Sequence, residues 1–152
     1  ISSDSSLAIE FPNALRTAME SFLKAQELDV KGRYEDEIKL GLAQVQTEAN
    51  GSGIAYYNTN AFDKAGNLFD LASEVARKFE MIDTMAIYNA ALCYEKAGVN
   101  DLAITRYKEC AEIEYQVPNV FLFISTLYRD AENDEEALKI LQEARGGSGW
   151  RD

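Results

Sequence analysis

Residues 84–114, TMAIYNAALCYEKAGVNDLAITRYKECAEIE, contain two short helical patterns separated by one sharp break. In the first half, apolar and small residues recur every three or four positions, and Gly98 follows where a left-handed cap residue is favoured. In the second half a similar apolar face follows Asp101, whose negative charge suits the first turn of a helix. The stretch therefore predicts a helical hairpin. Two helices of about a dozen residues cannot bury a core alone, so the hairpin needs similar neighbours.

One spacing of five residues occurs three times in the chain. A small residue is followed by Tyr after three positions, Ala after nine, a bulky apolar residue after four and another small residue after three. The copies are Gly53, Tyr56, Ala65, Phe69, Ala72; Ala91, Tyr94, Ala103, Tyr107, Cys110; and Ser125, Tyr128, Ala137, Leu141, Ala144. An ungapped match in triplicate indicates an internal repeat.

This pattern resembles the tetratricopeptide repeat (TPR), a helix-turn-helix unit of about 34 residues with small residues where its helices cross and a tyrosine in its first helix. The usual first-helix Trp is replaced by Ala49, Ile87 or Phe121, and the usual proline after the second helix is missing. The resemblance implies an all-α fold, in which tandem TPR hairpins form an α-α superhelix.

The repeats divide the chain into one continuous array over residues 1–152. About residues 7–30 are predicted to form the second helix of an incomplete repeat, in which Ala18, Phe22 and Ala25 repeat the motif. Complete repeats are predicted at 34–82, 84–116 and 118–145, and residues 146–152 have the composition of a flexible tail. Because too few residues precede the first helix, we expect the sequence to be a fragment of a longer protein.

The repeat at 34–82 is predicted to have unusually long helices. No proline interrupts residues 34–58, and the second helix is predicted from Phe62 to about Met81. Gly53 matches the small crossing residue of the family, whereas Gly51 has no evident packing reason. Each Gly inside a helix costs about 1 kcal/mol relative to Ala.

Composition and charge predict the class of fold and disfavour several classes of partner. With 47% apolar residues, 9 Gly and only 2 Pro, the chain can fill one helical core but has little material for sheets and turns. A net charge of −11 disfavours nucleic acid and anionic membrane surfaces. The longest apolar run, residues 120–124, is too short to insert across a bilayer. No signal peptide is visible in this sequence, and both a cytoplasmic and a periplasmic location stay open.

Residue types that carry chemistry are scarce. The chain has no His, which excludes catalytic triads, imidazole metal sites and the commonest general base. The acidic runs 35–37 and 134–136 lie at predicted helix N-termini, where they complement the helix dipole. The glycines at 50–53 lack the strand and the Lys of a phosphate loop. We therefore expect no enzymatic activity, no metal and no cofactor.

The two cysteines, Cys93 and Cys110, fall in the two helices of one hairpin. Antiparallel geometry around Gly98 places their thiols on the order of 10 Å apart, beyond the reach of a disulfide. We expect both to be reduced and mostly buried. This expectation is compatible with either redox compartment.

The resemblance also implies a binding surface, because stacked TPR hairpins form a right-handed superhelix whose first helices line a concave groove. Relatives hold a peptide or a partner helix there. Asparagine recurs along this surface and can hydrogen-bond a peptide backbone, while Tyr and Met supply apolar contact. The groove residues implied for this chain are Asn50, Ile54, Tyr57, Asn58, Met85, Tyr88, Asn89, Leu92, Lys96, Asn119, Phe123, Thr126 and Arg129.

Two of these positions have a competing interpretation. Packing against adjacent repeats is favoured for Leu92 and Phe123, whereas Tyr57, Asn89 and Arg129 are favoured as contact residues.

Family members that clamp the acidic tails of chaperones use Lys, Arg and Asn from successive first helices. In the last repeat, Asn119 and Phe123 stand where basic residues are required. An apolar or mixed peptide is therefore the expected ligand.

Two functions follow from the resemblance. The favoured one is a non-enzymatic scaffold that binds a protein or peptide in the groove. The alternative is a helical support module of a larger enzyme or glycan-uptake protein with its active site outside this fragment, since residues 28–42 are similar to exported Bacteroidetes-type bacterial TPR proteins. Arrays of this kind normally finish with an additional polar-backed helix, and no such pattern follows the last repeat in this sequence. We therefore expect Leu138 and Leu141 or their neighbours to leave apolar surface exposed. This end is predicted to abut missing sequence or to self-associate with a second copy.

Overall fold

The computed structural model describes residues 12–146, and within this range the chain is all-α, as predicted. Short turns join the successive helices. The helices of the described part are α1 (Pro12–Leu28), α2 (Glu35–Asn58), α3 (Phe62–Lys78), α4 (Thr84–Lys96), α5 (Asn100–Glu112), α6 (Asn119–Asp130) and α7 (Asp134–Gly146). Each helix packs against the next along the chain, and α1 also contacts α3.

The helix lengths follow the sequence pattern, with one difference. Helix α2 has 24 residues, which confirms the long first helix expected between residues 34 and 58. Helix α3 ends at Lys78 and not near Met81, because Glu80 adopts a φ of 55°. The N–H of Met81 then donates to the carbonyl of Ala76 at 3.1 Å and closes the helix. The beginning of the helix predicted at about 7–30 and most of the predicted tail fall in residues 1–11 and 147–152, which lie outside the described residues.

The first helices of the three hairpins, α2, α4 and α6, end in the same way. In each, the carbonyl of the repeat tyrosine accepts a bond from the N–H five residues later, and the residue before that donor has a positive φ. This is the backbone pattern of a Schellman cap. The donors are Ala61, Val99 and Asn133, at 3.0, 2.9 and 2.9 Å from the carbonyls of Tyr56, Tyr94 and Tyr128.

Most of the repeated positions lie in the core. All five are buried in each of the first two copies, and the last copy is less covered, since Leu141 is 40% exposed and Tyr128 is half-buried. Small residues allow close approach: a Cβ at Gly53 would lie 3.0 Å from the ring of Phe69, which confirms the packing reason expected there. A Cβ at Gly51 would meet nothing within 4 Å.

Close approach also occurs between neighbouring hairpins. A Cβ at Gly66 in α3 would lie 2.8 Å from the ring of Tyr94 in α4, so Gly66 permits this contact. The Tyr94 hydroxyl donates to Asp70 at 2.8 Å. In the next hairpin, the Tyr128 hydroxyl accepts from Lys108 at 3.2 Å. Asp70 and Lys108 each follow the bulky apolar residue of the repeat, so the two tyrosines meet equivalent positions.

Ion pairs connect the second helices of successive hairpins. Arg16 of α1 pairs with Glu74 of α3 at 3.1 Å. Arg106 of α5 binds Asp70 of α3 through two bonds of 2.7 and 3.0 Å, and Arg77 of α3 pairs with Glu109 of α5. The bidentate Arg106–Asp70 pair is the most shielded of these, and such geometry fixes orientation better than a single contact.

No helix in residues 12–146 combines the length and the apolar character needed to cross a membrane.

Candidate functional site

A pocket of about 260 Å³ opens between α2, α3 and α4. Its walls are mostly apolar, and a single amide side chain lies among them. This volume is below the range of about 300–1,000 Å³ that drug-sized ligands occupy, so the pocket suits one or two side chains of a larger ligand. The lining residues are Ile54, Tyr57, Phe69, Asn89, Leu92 and Cys93.

The pocket brings together four residues that the sequence assigned to the groove, Ile54 and Tyr57 from α2 with Asn89 and Leu92 from α4. Ile54 is 53% exposed, so an apolar side chain faces solvent beside the opening. Phe69 of α3 is buried and closes the floor. Because three successive helices contribute, the pocket depends on how α4 packs against the first hairpin.

Lys96 lies beside this pocket over two aromatic rings. Tyr57 and Phe62 meet edge to face with their ring centroids 5.4 Å apart. The Lys96 Nζ lies 5.9 Å from the centroid of Tyr57 and 5.6 Å from that of Phe62. Cation–π contact of this kind stabilises by about 0.5–1 kcal/mol at exposed sites. Lys96 therefore places a positive charge beside an apolar opening in an acidic chain.

Asn50, also assigned to the groove, is engaged inside the protein. Its Nδ2 donates to Asp83 Oδ2 at 3.2 Å, and Gln46 Nε2 donates to the same oxygen at 3.0 Å. The other carboxylate oxygen of Asp83 accepts from the N–H of Ala86 at 3.0 Å and caps the start of α4. This junction fixes α4 against α2, and sequence reasoning did not identify Asp83 or Gln46.

The next part of the surface is an aromatic cluster. Tyr88 of α4 packs edge to face on Tyr107 and Tyr115, with centroids 6.1 and 5.8 Å apart. Phe123 of α6 packs on Tyr107 at 5.4 Å. Burial raises the pKa of Tyr88 above its ordinary value. Phe123 takes the packing role that was favoured for it, and Tyr88 also contributes to packing.

The remaining groove residues lie on the surface outside the pocket. Met85, in the first turn of α4, is 64% exposed. The others belong to the end of α2 and to α6, and the structure does not bring them into the pocket. They are Asn58, Asn119, Thr126 and Arg129, all exposed.

The chemistry of the described residues is limited. Both cysteines are free and buried, as predicted. Burial raises the pKa of Cys93 to about 11 and that of Cys110 to about 12, so both thiols are protonated at neutral pH and poorly nucleophilic. Within residues 12–146, no group of three Cys, Asp or Glu side chains is placed to hold a metal ion.

Comparison of the chain with protein-family models and with curated proteins finds no match.

Proposed function

We propose that this chain is a TPR array, with its hairpins in a right-handed superhelix, and that it acts as a non-enzymatic scaffold. Its first helices α2, α4 and α6 would bind a segment of another protein along their shared surface. The equivalent caps at Tyr56, Tyr94 and Tyr128 support the repeat assignment. So do the equivalent hydroxyl contacts to Asp70 and Lys108.

The observation that carries the binding proposal is the pocket between α2, α3 and α4. Apolar walls with one polar group are the usual composition of a binding site, because the walls provide affinity and the polar group fixes orientation. Asn89 offers both a donor and an acceptor, which a peptide backbone can satisfy. The ligand is then a peptide or helix that inserts an apolar side chain while its backbone bonds to Asn89.

The charges around the pocket indicate which kind of peptide it can bind. The net charge of −11 disfavours a strongly acidic peptide through long-range repulsion. Lys96 adds one local positive charge beside Tyr57. A mixed peptide with an apolar anchor fits these features better than a run of acidic residues.

Peptide display on the intact chain tests the proposal. Peptides enriched on the immobilised protein should share a bulky apolar residue. The affinity of each labelled peptide for the protein is then measured by fluorescence anisotropy. Ile54→Gln and Asn89→Ala should each weaken binding about tenfold or more, which corresponds to roughly 1.4 kcal/mol. Tyr88 is unsuitable for substitution because it packs on Tyr107.

Leu102→Gln is the matched control, because Leu102 is an exposed apolar residue of α5 that does not line the pocket. This variant should bind the selected peptides with unchanged affinity. Equal binding by wild type and Ile54→Gln would show that the pocket is not the site. Failure to enrich any peptide would count against the scaffold function itself.

A further inference from the structure

One stripe of α7 has no cover in the described part of the molecule. Asp134, Leu138, Leu141 and Arg145 follow one another at spacings of four, three and four residues, which places them along a single line on a helix. All four are exposed, the leucines by 57% and 40%. The residues that α7 buries lie on a neighbouring face, and they are Ala137, Ile140 and Ala144.

The equivalent positions in the preceding hairpin are covered. Leu138 and Leu141 correspond to Ile104 and Tyr107 of α5, which are 9% and 0% exposed. The ring of Tyr107 packs on Phe123 of the following helix α6. The leucines thus occupy positions that are an interface wherever another hairpin follows. In residues 12–146 no helix follows α7.

We propose that the stripe binds the same stripe of a second copy of this chain, as an antiparallel pair of α7 helices about a two-fold axis. In this pair Leu138 faces the partner subunit's Leu141, and Leu141 faces the partner subunit's Leu138. The same register brings Asp134 opposite the partner subunit's Arg145, because each lies four residues beyond a leucine. A two-fold interface must be self-complementary, and this stripe meets that requirement.

The charges select the antiparallel pair over other arrangements. Among the described residues, neither Asp134 nor Arg145 takes part in an ion pair. A parallel pair would set Asp134 beside Asp134 and Arg145 beside Arg145, which is unfavourable. The antiparallel pair also points the two helix dipoles in opposite directions, so that each positive N-terminus lies beside the negative C-terminus of the other helix. Since each copy contributes only two exposed leucines, the dimer is weak and concentration-dependent.

Sedimentation velocity of the full chain over about 1 μM to 1 mM, the range of weak complexes, provides the first test. Wild type should shift from monomer to dimer as its concentration rises. Leu141→Gln should remain monomeric. Leu102→Gln is the matched control, because Leu102 is also 40% exposed but lies on α5, and it should dimerise like wild type.

Charge reversal tests the register independently of leucine packing. Asp134→Arg and Arg145→Asp should each be monomeric alone, since each places like charges opposite each other. A mixture of the two variants should form a dimer, because the arginine introduced at position 134 of one variant then faces the aspartate introduced at position 145 of the other. On the second side the unchanged Arg145 of the first variant faces the unchanged Asp134 of the second. Circular dichroism must show that each variant retains wild-type helicity.

Several results would overturn the proposal. These are a wild type that stays monomeric throughout, a dimer that survives Leu141→Gln, and a mixture of charge variants that does not associate. The proposal would also be overturned if the wild type were monomeric and Leu141→Gln shifted the fluorescence of Trp150, which is the only tryptophan of the chain. That result would show that the C-terminal tail covers the stripe.

Discussion

At the scale of single residues, Asp83 connects the start of one helix with the side of another. One carboxylate oxygen caps α4 through the N–H of Ala86, and the other accepts from Gln46 and Asn50 of α2. Helix α4 carries Asn89 and Leu92 into the pocket. The geometry of the pocket therefore depends on a carboxylate that does not line it.

Asp83→Ala should lower the free energy of unfolding by about 1–2 kcal/mol, because an N-cap is lost and two half-buried amides lose their acceptor. Asp83→Asn should cost less, since its side-chain oxygen can still cap Ala86. Urea unfolding followed by circular dichroism measures both. Asp101→Ala is the control, because Asp101 is exposed in the first turn of α5, and it should cost only a few tenths of a kcal/mol. Equal losses for Asp83→Ala and Asp101→Ala would contradict the bridging role.

At the scale of elements, the ends of the helices define the hairpins. The turns after α2 to α6 each contain a residue in the left-handed region, and only one of these residues is glycine. A left-handed conformation is costly for residues with a Cβ, and Gly is the usual solution. The residues are Asn60, Glu80, Gly98, Glu114, Gln116 and Glu132, with φ between 55° and 73°.

Gly98 and Glu132 occupy equivalent positions, and substitutions at the two positions should change the free energy of unfolding in opposite directions. A Cβ at Gly98 would meet nothing within 4 Å, so Gly98→Ala tests the backbone alone. It should lower the free energy of unfolding by about 1 kcal/mol. Glu132→Gly should raise it by about 0.5 kcal/mol, because strain relief exceeds the added freedom of the unfolded chain. Chemical denaturation measures both, and changes of the same sign would contradict the equivalence.

The turns also show how much of the fold the sequence could predict. The period of apolar residues and the glycine at 98 were enough to place the central hairpin and its equivalents. Glu80 carries no turn signal in the sequence, since a Glu rarely adopts a positive φ. The predicted end of α3, near Met81, therefore lies beyond the observed end at Lys78. The contact of Gly66 with Tyr94 was also missed, because periodicity identifies a buried face and not the residue opposite it.

The same limit applied to the candidate site. Resemblance placed Ile54, Tyr57, Asn89 and Leu92 on one surface, and the structure brings these four into one pocket. The resemblance did not predict that Asn50 bonds to Asp83, since that contact depends on where two separate helices meet. The sequence pattern predicts which residues of a helix face the groove. It does not predict which of their side chains are hydrogen-bonded within the protein and so not free to contact a ligand.

At the scale of the whole molecule, the chain packs as a series of neighbours. Among the helices of residues 12–146, each terminal helix has one neighbour along the chain, whereas every inner helix has two. Helix α3 packs against α1, α2 and α4, whereas α7 packs against α6. In such an array, stability is close to a sum of local terms and nearest-neighbour interfaces. Local opening should therefore begin at the ends.

Hydrogen exchange should resolve this gradient when the chain is dilute enough to be monomeric. Amides of α3 and α4 should exchange most slowly and those of α7 most rapidly, since residues 12–146 leave one face of α7 uncovered. Ile140→Ala, which removes a buried side chain of α7, should accelerate exchange in α6 and α7 and leave α2 and α3 unchanged. Leu71→Ala, at a buried position of α3, should accelerate exchange on both sides of α3. If Ile140→Ala instead accelerated exchange equally in all helices, the molecule would unfold as one cooperative unit and the nearest-neighbour description would be wrong.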